Sequence, residues 1–300
     1  MTEFAFADAA DRAAVVALRD QIDAYNDAQT GLAEPERKLG IFVRDAGGAV
    51  QGGVLAVSYY RWMMLDIVFL SETMRGRGLG RRLVQAAERE AVRRGCIGVW
   101  LLSFSFQAPD LYRRLGYQEI GTLAFPRGHH AVFLQKRDGL HAAPANDGFE
   151  TTETPGEADE AALAAGITAY NAPFTGPPDD RQFGLVLRDP TSGAVIGGLW
   201  AKPFYGLLFL AFLILPPHQR RGGTGTRLVQ EAERIARTRG YAGVFLDTFT
   251  FQARPFYERL GYSVFTIINE YPPGHRRYLM AKHFDAEGNG QPACATGRSS

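Results

Sequence analysis

Apolar side chains at Ala14, Val15, Leu18, Ile22 and Tyr25 recur every three or four positions. One face of this segment is built to be buried, and the spacing predicts an amphipathic helix ending near Gly31. Three β-like runs follow, Ile41 to Arg44, Gly53 to Tyr59 and Met63 to Leu70, bounded by glycine pairs or charged turns; they predict a hairpin meander. The helical period returns at Leu79, Leu83, Ala87 and Ala91 and stops at Gly95, a C-terminal cap. A short apolar strand from Ile97 to Leu102, a proline-started helix ending at Gly116 and a last strand from Ala131 to Leu134 complete the series. This order predicts an α/β fold of the mixed-sheet, α+β kind, with helices flanking one central sheet.

The same series then runs a second time. Gly78-Leu79-Gly80-Arg81-Arg82-Leu83-Val84-Gln85 matches Gly223-Thr224-Gly225-Thr226-Arg227-Leu228-Val229-Gln230 at an offset of 145 positions. That offset also pairs Ala24-Tyr25-Asn26 with Ala169-Tyr170-Asn171, Phe106-Gln107-Ala108 with Phe251-Gln252-Ala253, and Leu115-Gly116-Tyr117 with Leu260-Gly261-Tyr262. Pro126-Arg127-Gly128-His129 matches Pro272-Pro273-Gly274-His275 after one inserted residue. An internal duplication predicts two tandem domains, 1–136 and 149–284, packed on each other and joined by a linker at 137–148 rich in Ala, Gly, Pro, Asn and Asp. The Gly- and Ser-rich stretch 285–300 has no periodicity and reads as a disordered tail.

Composition narrows the function classes. The 33 basic and 32 acidic side chains leave a formal charge of +1, so no global field favours nucleic acid or an anionic membrane surface. Cys96 and Cys294 lie outside any metal-ligand spacing and form no disulfide framework, so no metal site is expected and a reducing cytoplasm fits. Apolar runs such as Leu207 to Leu215 are too short to span a bilayer, and Met1 to Asp11 lacks the basic and apolar regions of a secretory signal.

The candidate chemistry sits in the glycine-rich turns. Arg75-Gly76-Arg77-Gly78-Leu79-Gly80-Arg81 and Arg220-Arg221-Gly222-Gly223-Thr224-Gly225-Thr226 each lead from a strand into a helix. Without Cβ atoms the backbone approaches an anion closely, and the free N–H groups and dipole of the helix start point at it. The Gly-Lys-Ser/Thr of a phosphate-binding P-loop is absent, and so is the acidic residue that follows a dinucleotide fingerprint. A tight turn with solvated arginines would account for one such loop; its recurrence in both copies favours a ligand.

With these motifs the chain resembles the GCN5-related N-acetyltransferase (GNAT) superfamily. The family's Gln/Arg-x-x-Gly-x-Gly/Ala motif is matched by Arg75, Gly78 and Gly80 and by Arg220, Gly223 and Gly225. Its second motif is matched by Ala108, Tyr112, Gly116 and Tyr117 and by Ala253, Tyr257, Gly261 and Tyr262. The resemblance implies that the loops hold the pyrophosphate of acetyl-CoA and that Tyr112 and Tyr257 protonate the departing sulfur. Ser105 and Thr250 stand where many relatives carry an Asn that contacts CoA, and are the corresponding candidates here. The implied reaction is acetyl transfer to an amine of a small molecule or peptide. Alternatives are one catalytic and one degenerate copy, or a non-catalytic acyl-CoA sensor. Asp66 and Asp247 are candidate general bases, although Asp66 aligns with Ala211 and Asp247 with Leu102. His129 and His275, in Pro-Gly turns, read as structural.

Overall fold

The computed structural model describes residues 4–8, 11–32, 35–143, 147–284 and 290–291. In chain order the first repeat gives β1 (Ala5–Asp8), α1 (Arg12–Thr30), β2 (Arg37–Arg44), β3 (Val50–Tyr59), β4 (Trp62–Leu70), α2 (Leu79–Arg93), β5 (Gly98–Phe104), α3 (Pro109–Arg114), β6 (Gln118–Ala124) and β7 (His130–Lys136). The second gives β8 (Glu150–Thr152), α4 (Glu157–Thr175), β9 (Phe183–Arg188), β10 (Val195–Phe204), β11 (Leu207–Ile214), α5 (Thr224–Thr238), β12 (Gly243–Phe249), α6 (Arg254–Arg259), β13 (Ser263–Asn269) and β14 (Arg276–Phe284). A two-residue strand, β15 (Gly290–Gln291), pairs with β14; the remainder of the expected tail lies outside the described residues.

The chain folds into two compact units, and they do not follow the repeat boundaries expected at 1–136 and 149–284. One unit, here the first-loop unit, comprises 34–177 with 268–274; the other, the second-loop unit, comprises 1–33, 178–267 and 275–300. The repeats have exchanged their opening strand and helix. In the first-loop unit the sheet order is β6-β7-β5-β4-β3-β2-β8, so β8 of the second repeat closes the edge beside β2. In the second-loop unit the order is β1-β9-β10-β11-β12-β14-β13, with β1 of the first repeat beside β9. Helix α4 accordingly packs on β3 and β4, and α1 on β9, β10 and β11.

Matching contacts anchor the exchanged helices. Leu163 of α4 and Leu18 of α1 are fully buried, each burial contributing about 1.5–3 kcal/mol. Asp11 caps α1 by accepting a hydrogen bond from the Ala14 amide at 2.9 Å, and Gly31 ends it with a left-handed φ of 68°. On the opposite face of the first-loop sheet, Leu83, Val84, Ala87 and Ala91 of α2 pack on Ile41, Val54, Leu65 and Leu101. The second-loop sheet has the same layer, with Leu228, Val229, Ala232 and Ala236 of α5 on Leu185, Leu199, Leu210 and Leu246.

Two further expectations need correction. The pair Gly52-Gly53, read as a strand boundary, lies inside β3, where it approaches neighbouring backbone too closely for a side chain. Each repeat also ends in two strands rather than one. β6 is an edge strand with five of its seven residues polar or small, Gln118, Glu119, Gly121, Thr122 and Ala124, so no apolar alternation announces it.

Candidate active site

In the first-loop unit β4 runs parallel to β5, but the pairing lasts only from Trp62–Gly98 to Leu65–Leu101. Beyond Leu65 the two strands part. The next residue of β4, Asp66, is a bulge: against β3, Leu55 faces Ile67 while Ala56 faces Leu65, which leaves Asp66 out of the ladder. The second-loop unit repeats this geometry. β11 and β12 pair only over Leu208–Leu210 with Val244–Leu246, and Ala211 is the bulged residue between Leu210 and Phe212. The bulge is common to both copies although its side chain is not. The exposed Asp66 carboxylate has no counterpart in the second copy.

The gap between β4 and β5 opens into a cleft of about 490 Å³. Val68, Phe69 and Leu70 of β4, Ser103 of β5 and Gln107, Leu111 and Tyr112 line one part of it, and Arg75, Gly76, Gly78, Leu79, Gly80 and Arg81 line its mouth. Ile167 and Tyr170 of α4 complete the wall. The glycine loop, the strand gap and the tyrosine, picked out separately in the sequence, thus face one space.

The loop has the form that an anion needs. Gly76 and Gly78 hold φ of 75° and 74°, and a Cβ at either would meet nothing within 4 Å, so the space above the backbone is open. Gly78 caps α2 without any side-chain hydrogen bond, which leaves the first N–H groups of a 15-residue helix available. In the second loop Gly223 takes the same place with φ 81°, again without a side-chain cap. Arg221, aligned with Gly76, keeps a left-handed φ of 64° despite carrying a side chain. Left-handed backbone costs a non-glycine residue about 1–2 kcal/mol, so the loop shape is retained against a local penalty.

Arg75 and Arg220 tie the loops to the chain that precedes them. Each donates its Nε to the carbonyl at the end of the preceding strand, Arg75 to Leu70 at 3.0 Å and Arg220 to Leu215 at 2.8 Å. Each guanidinium also lies over a tyrosine ring, Arg75 over Tyr170 at 4.7 Å and Arg220 over Tyr25 at 5.3 Å. These contacts brace the loops, and Arg75 does so at the mouth of the cleft. Arg77 and Arg81 remain exposed beside the open glycines.

Tyr112 and Tyr257 are buried, 7% exposed each, and burial raises both phenols above their ordinary value; for Tyr257 the nearby negative charge of Asp247 adds to the effect. Both are therefore protonated hydrogen-bond donors at any working pH. Asp247 itself is ion-paired with Arg277 at 2.8 Å, which occupies the carboxylate expected to serve as a base. Ser105 and Thr250 tie turns to strands: the Ser105 hydroxyl accepts from the His130 amide at 3.4 Å, and Thr250 Oγ1 accepts from the Arg276 amide at 2.7 Å and donates to the Arg276 carbonyl at 3.1 Å. Ser103, two residues earlier and still within β5, is the hydroxyl at the cleft, and its counterpart Thr248 donates to Gln252 Oε1 at 3.1 Å. The position where the strand ends, not residue type, separates the two serines. Among the described residues no His, Cys, Asp and Glu group has metal-binding geometry, and no helix is long and apolar enough to cross a membrane.

The chain is 35% identical over 135 residues to an acetyltransferase of Agrobacterium fabrum, an alignment spanning 45% of this chain and 98% of that protein. It is 38% identical over 91 residues to Blasticidin-S acetyltransferase of Streptomyces morookaense, spanning 30% and 67% of the respective chains. A crystal structure of an acetyltransferase from Bacillus cereus is similar at 25% identity and a TM-score of 0.39, covering 44% of this chain and 96% of that one. The model of the acetyltransferase (GNAT) family matches twice, over residues 9–117 and 151–262. With a glycine loop, a parted strand pair and a buried tyrosine at matching positions in both matched segments, this chain belongs to the acetyltransferase (GNAT) family, as a tandem duplication.

Proposed function

We propose that the protein transfers an acetyl group from acetyl-CoA to a primary amine, at one site on each glycine loop. The observation that carries this reading is the convergence of the uncapped α2 N-terminus, the parted β4 and β5 and the buried Tyr112 on one cleft. Loop N–H groups and the helix dipole suit a pyrophosphate, and Arg77 and Arg81 add charge at the rim. The thioester then extends into the gap that opens between β4 and β5 beyond Leu65.

A neutral amine attacks the thioester carbon to give a tetrahedral intermediate, and the C–S bond breaks as the C–N bond is kept. The amine nitrogen loses one proton and the sulfur gains one, so amide and free CoA thiol leave. Tyr112 serves the sulfur. Because burial raises its phenol above a thiol's usual range of about 8.5, it acts first as a hydrogen-bond donor to the developing thiolate. The proton from the amine passes to water in this scheme, in which Asp66 and Asp247 need no part.

The acceptor class is an amine of a small molecule or peptide. Similarity to Blasticidin-S acetyltransferase favours a small molecule. Thiol release from acetyl-CoA across an amine panel tests the proposal: amine-dependent release with acetylated product supports it. CoA binding with no turnover on any amine would turn the reading to a sensor.

A further inference from the structure

The exchange of helices has a consequence for catalysis, and it explains two motifs that the cofactor loops leave unused, Phe-Gln-Ala and Ala-Tyr-Asn. In the first-loop unit Gln107, just past β5, accepts from the Phe104 amide through Oε1 at 2.9 Å and donates through Nε2 to Asn171 of α4 at 2.9 Å. Beside it the Tyr170 hydroxyl donates to the Phe106 carbonyl at 3.1 Å. In the second-loop unit Gln252 accepts from the Phe249 amide at 2.9 Å and donates to Asn26 of α1 at 2.8 Å, and Tyr25 donates to the Phe251 carbonyl at 3.1 Å. Asn171 and Asn26 are both buried. Each latch thus joins the strand end that precedes a catalytic tyrosine helix to a helix from the other repeat.

Contacts specific to each copy fix which helix goes where. The ring of Phe69, which lines the first cleft, lies where a Cβ on Gly166 of α4 would be, so a side chain there would have to displace the ring. At the position of Gly166 helix α1 carries Gln21, which has no place against Phe69. Arg44 of β2 pairs with Glu150 and Asp159, and Lys38 with Glu160. The first repeat has Ala5, Ala14 and Val15 at those acidic positions. In the second-loop unit Phe6 of β1 stacks on Phe183 at 5.7 Å and Asp11 pairs with Arg188 at 3.0 Å, where the second repeat offers Thr151 and Gly156.

We infer that both transfer sites are assembled in trans between repeats: α4 supplies the acceptor-side wall of the first-loop site through Ile167 and Tyr170, and α1 supplies that of the second-loop site through Tyr25. Tyr170 and Asn171, and Tyr25 and Asn26, are positioning residues. They set the strand end before Tyr112 or Tyr257 and brace Arg75 or Arg220 through the tyrosine rings. Neither repeat holds a complete site by itself. The inference rests on the proposed acetyl transfer only for its activity readout.

The test uses the full chain. In hydrogen exchange, which needs no ligand, Asn171→Ala raises exchange around 104–112 and Asn26→Ala raises it around 249–257. The reverse pattern would overturn the inference. For activity, Gly223→Asp isolates the first-loop site and Gly78→Asp the second. Tyr170→Leu is expected to lower kcat/KM about tenfold or more in the Gly223→Asp background and to spare the Gly78→Asp background. Tyr170→Phe, which keeps the ring over Arg75, recovers part of that kcat/KM in the former. A loss that appears instead with Gly78→Asp shows that α4 serves its own repeat. Turnover absent from every variant, with the exchange pattern as expected, removes the acetyl-transfer reading and leaves the trans assembly standing.

Discussion

The first and second glycine loops share a backbone and differ in what surrounds it. Around the first, Leu79 and Gly80 are partly exposed and Leu111 borders an open cleft. Around the second, Thr224 and Gly225 are buried, and the larger Phe256 stands at the position of Leu111. Ile214 replaces Phe69, and the Asp247–Arg277 pair stands where the first copy has Leu102 and Ala131. The parts assigned to thioester chemistry are held constant: helix start, strand gap and buried tyrosine. The side chains around them are not. One duplicated scaffold surrounded by different side chains accounts for both facts better than the decay of one copy does, since Arg221 still holds its loop at a conformational penalty.

The comparison can be broken most sharply at the tyrosines. Tyr112→Phe with Tyr257→Phe keeps both rings and removes both hydroxyls, and is expected to lower turnover by about 10²- to 10⁴-fold with CoA affinity nearly unchanged. Each single variant keeps the activity of the other site. A double variant at the unmodified rate, measured where chemistry limits turnover, would return both residues to a packing role.

A smaller effect separates the units by packing. Gly166→Ala forces a methyl group into the Phe69 ring, costing about 1–3 kcal/mol of stability, and lowers turnover only at the first-loop site. Thermal unfolding and assays in the Gly223→Asp background measure both. An equal loss at the second-loop site would contradict the distinction. Phe256→Leu works in the other direction, admitting bulkier amines at the second-loop site, as an amine panel in the Gly78→Asp background would show.

The smallest effect is a shared one. Burial raises the phenols of Tyr112, Tyr117, Tyr257 and Tyr262, whereas in the unfolded chain they ionise near about 10. The folded state keeps these protons longer, so the stability tied to them is intact below about pH 10 and is lost as pH rises through the folded values. Urea midpoints at increasing pH should fall beyond that point, and less steeply in Tyr117→Phe with Tyr262→Phe.

Much of this was legible from the residues. The period of Leu79, Leu83, Ala87 and Ala91 located α2, and Gly78 and Gly223 located the helix starts, because local pattern decides these features. The exchange was not legible from the repeat. Tyr25 and Tyr170, or Asn26 and Asn171, present identical groups to identical partners, so pattern alone permits either pairing. The signal lay in complementarity between distant positions, Gly166 with Phe69 and Arg44 with Asp159, which carries meaning only once the sheet places them together. The bulge escaped notice for a related reason: Asp66 and Ala211 share a backbone event and no side-chain chemistry.

The central claim is that both loops hold CoA, and calorimetric titration of the full chain with CoA tests it most directly. Two sites per chain are expected, one after Gly78→Asp or Gly223→Asp, since a carboxylate there repels the phosphates and fills the open space above the loop, and none after both changes. Binding of a single CoA that only one of these substitutions abolishes would contradict the two-site account, and an unmodified chain that binds no CoA would contradict the function itself.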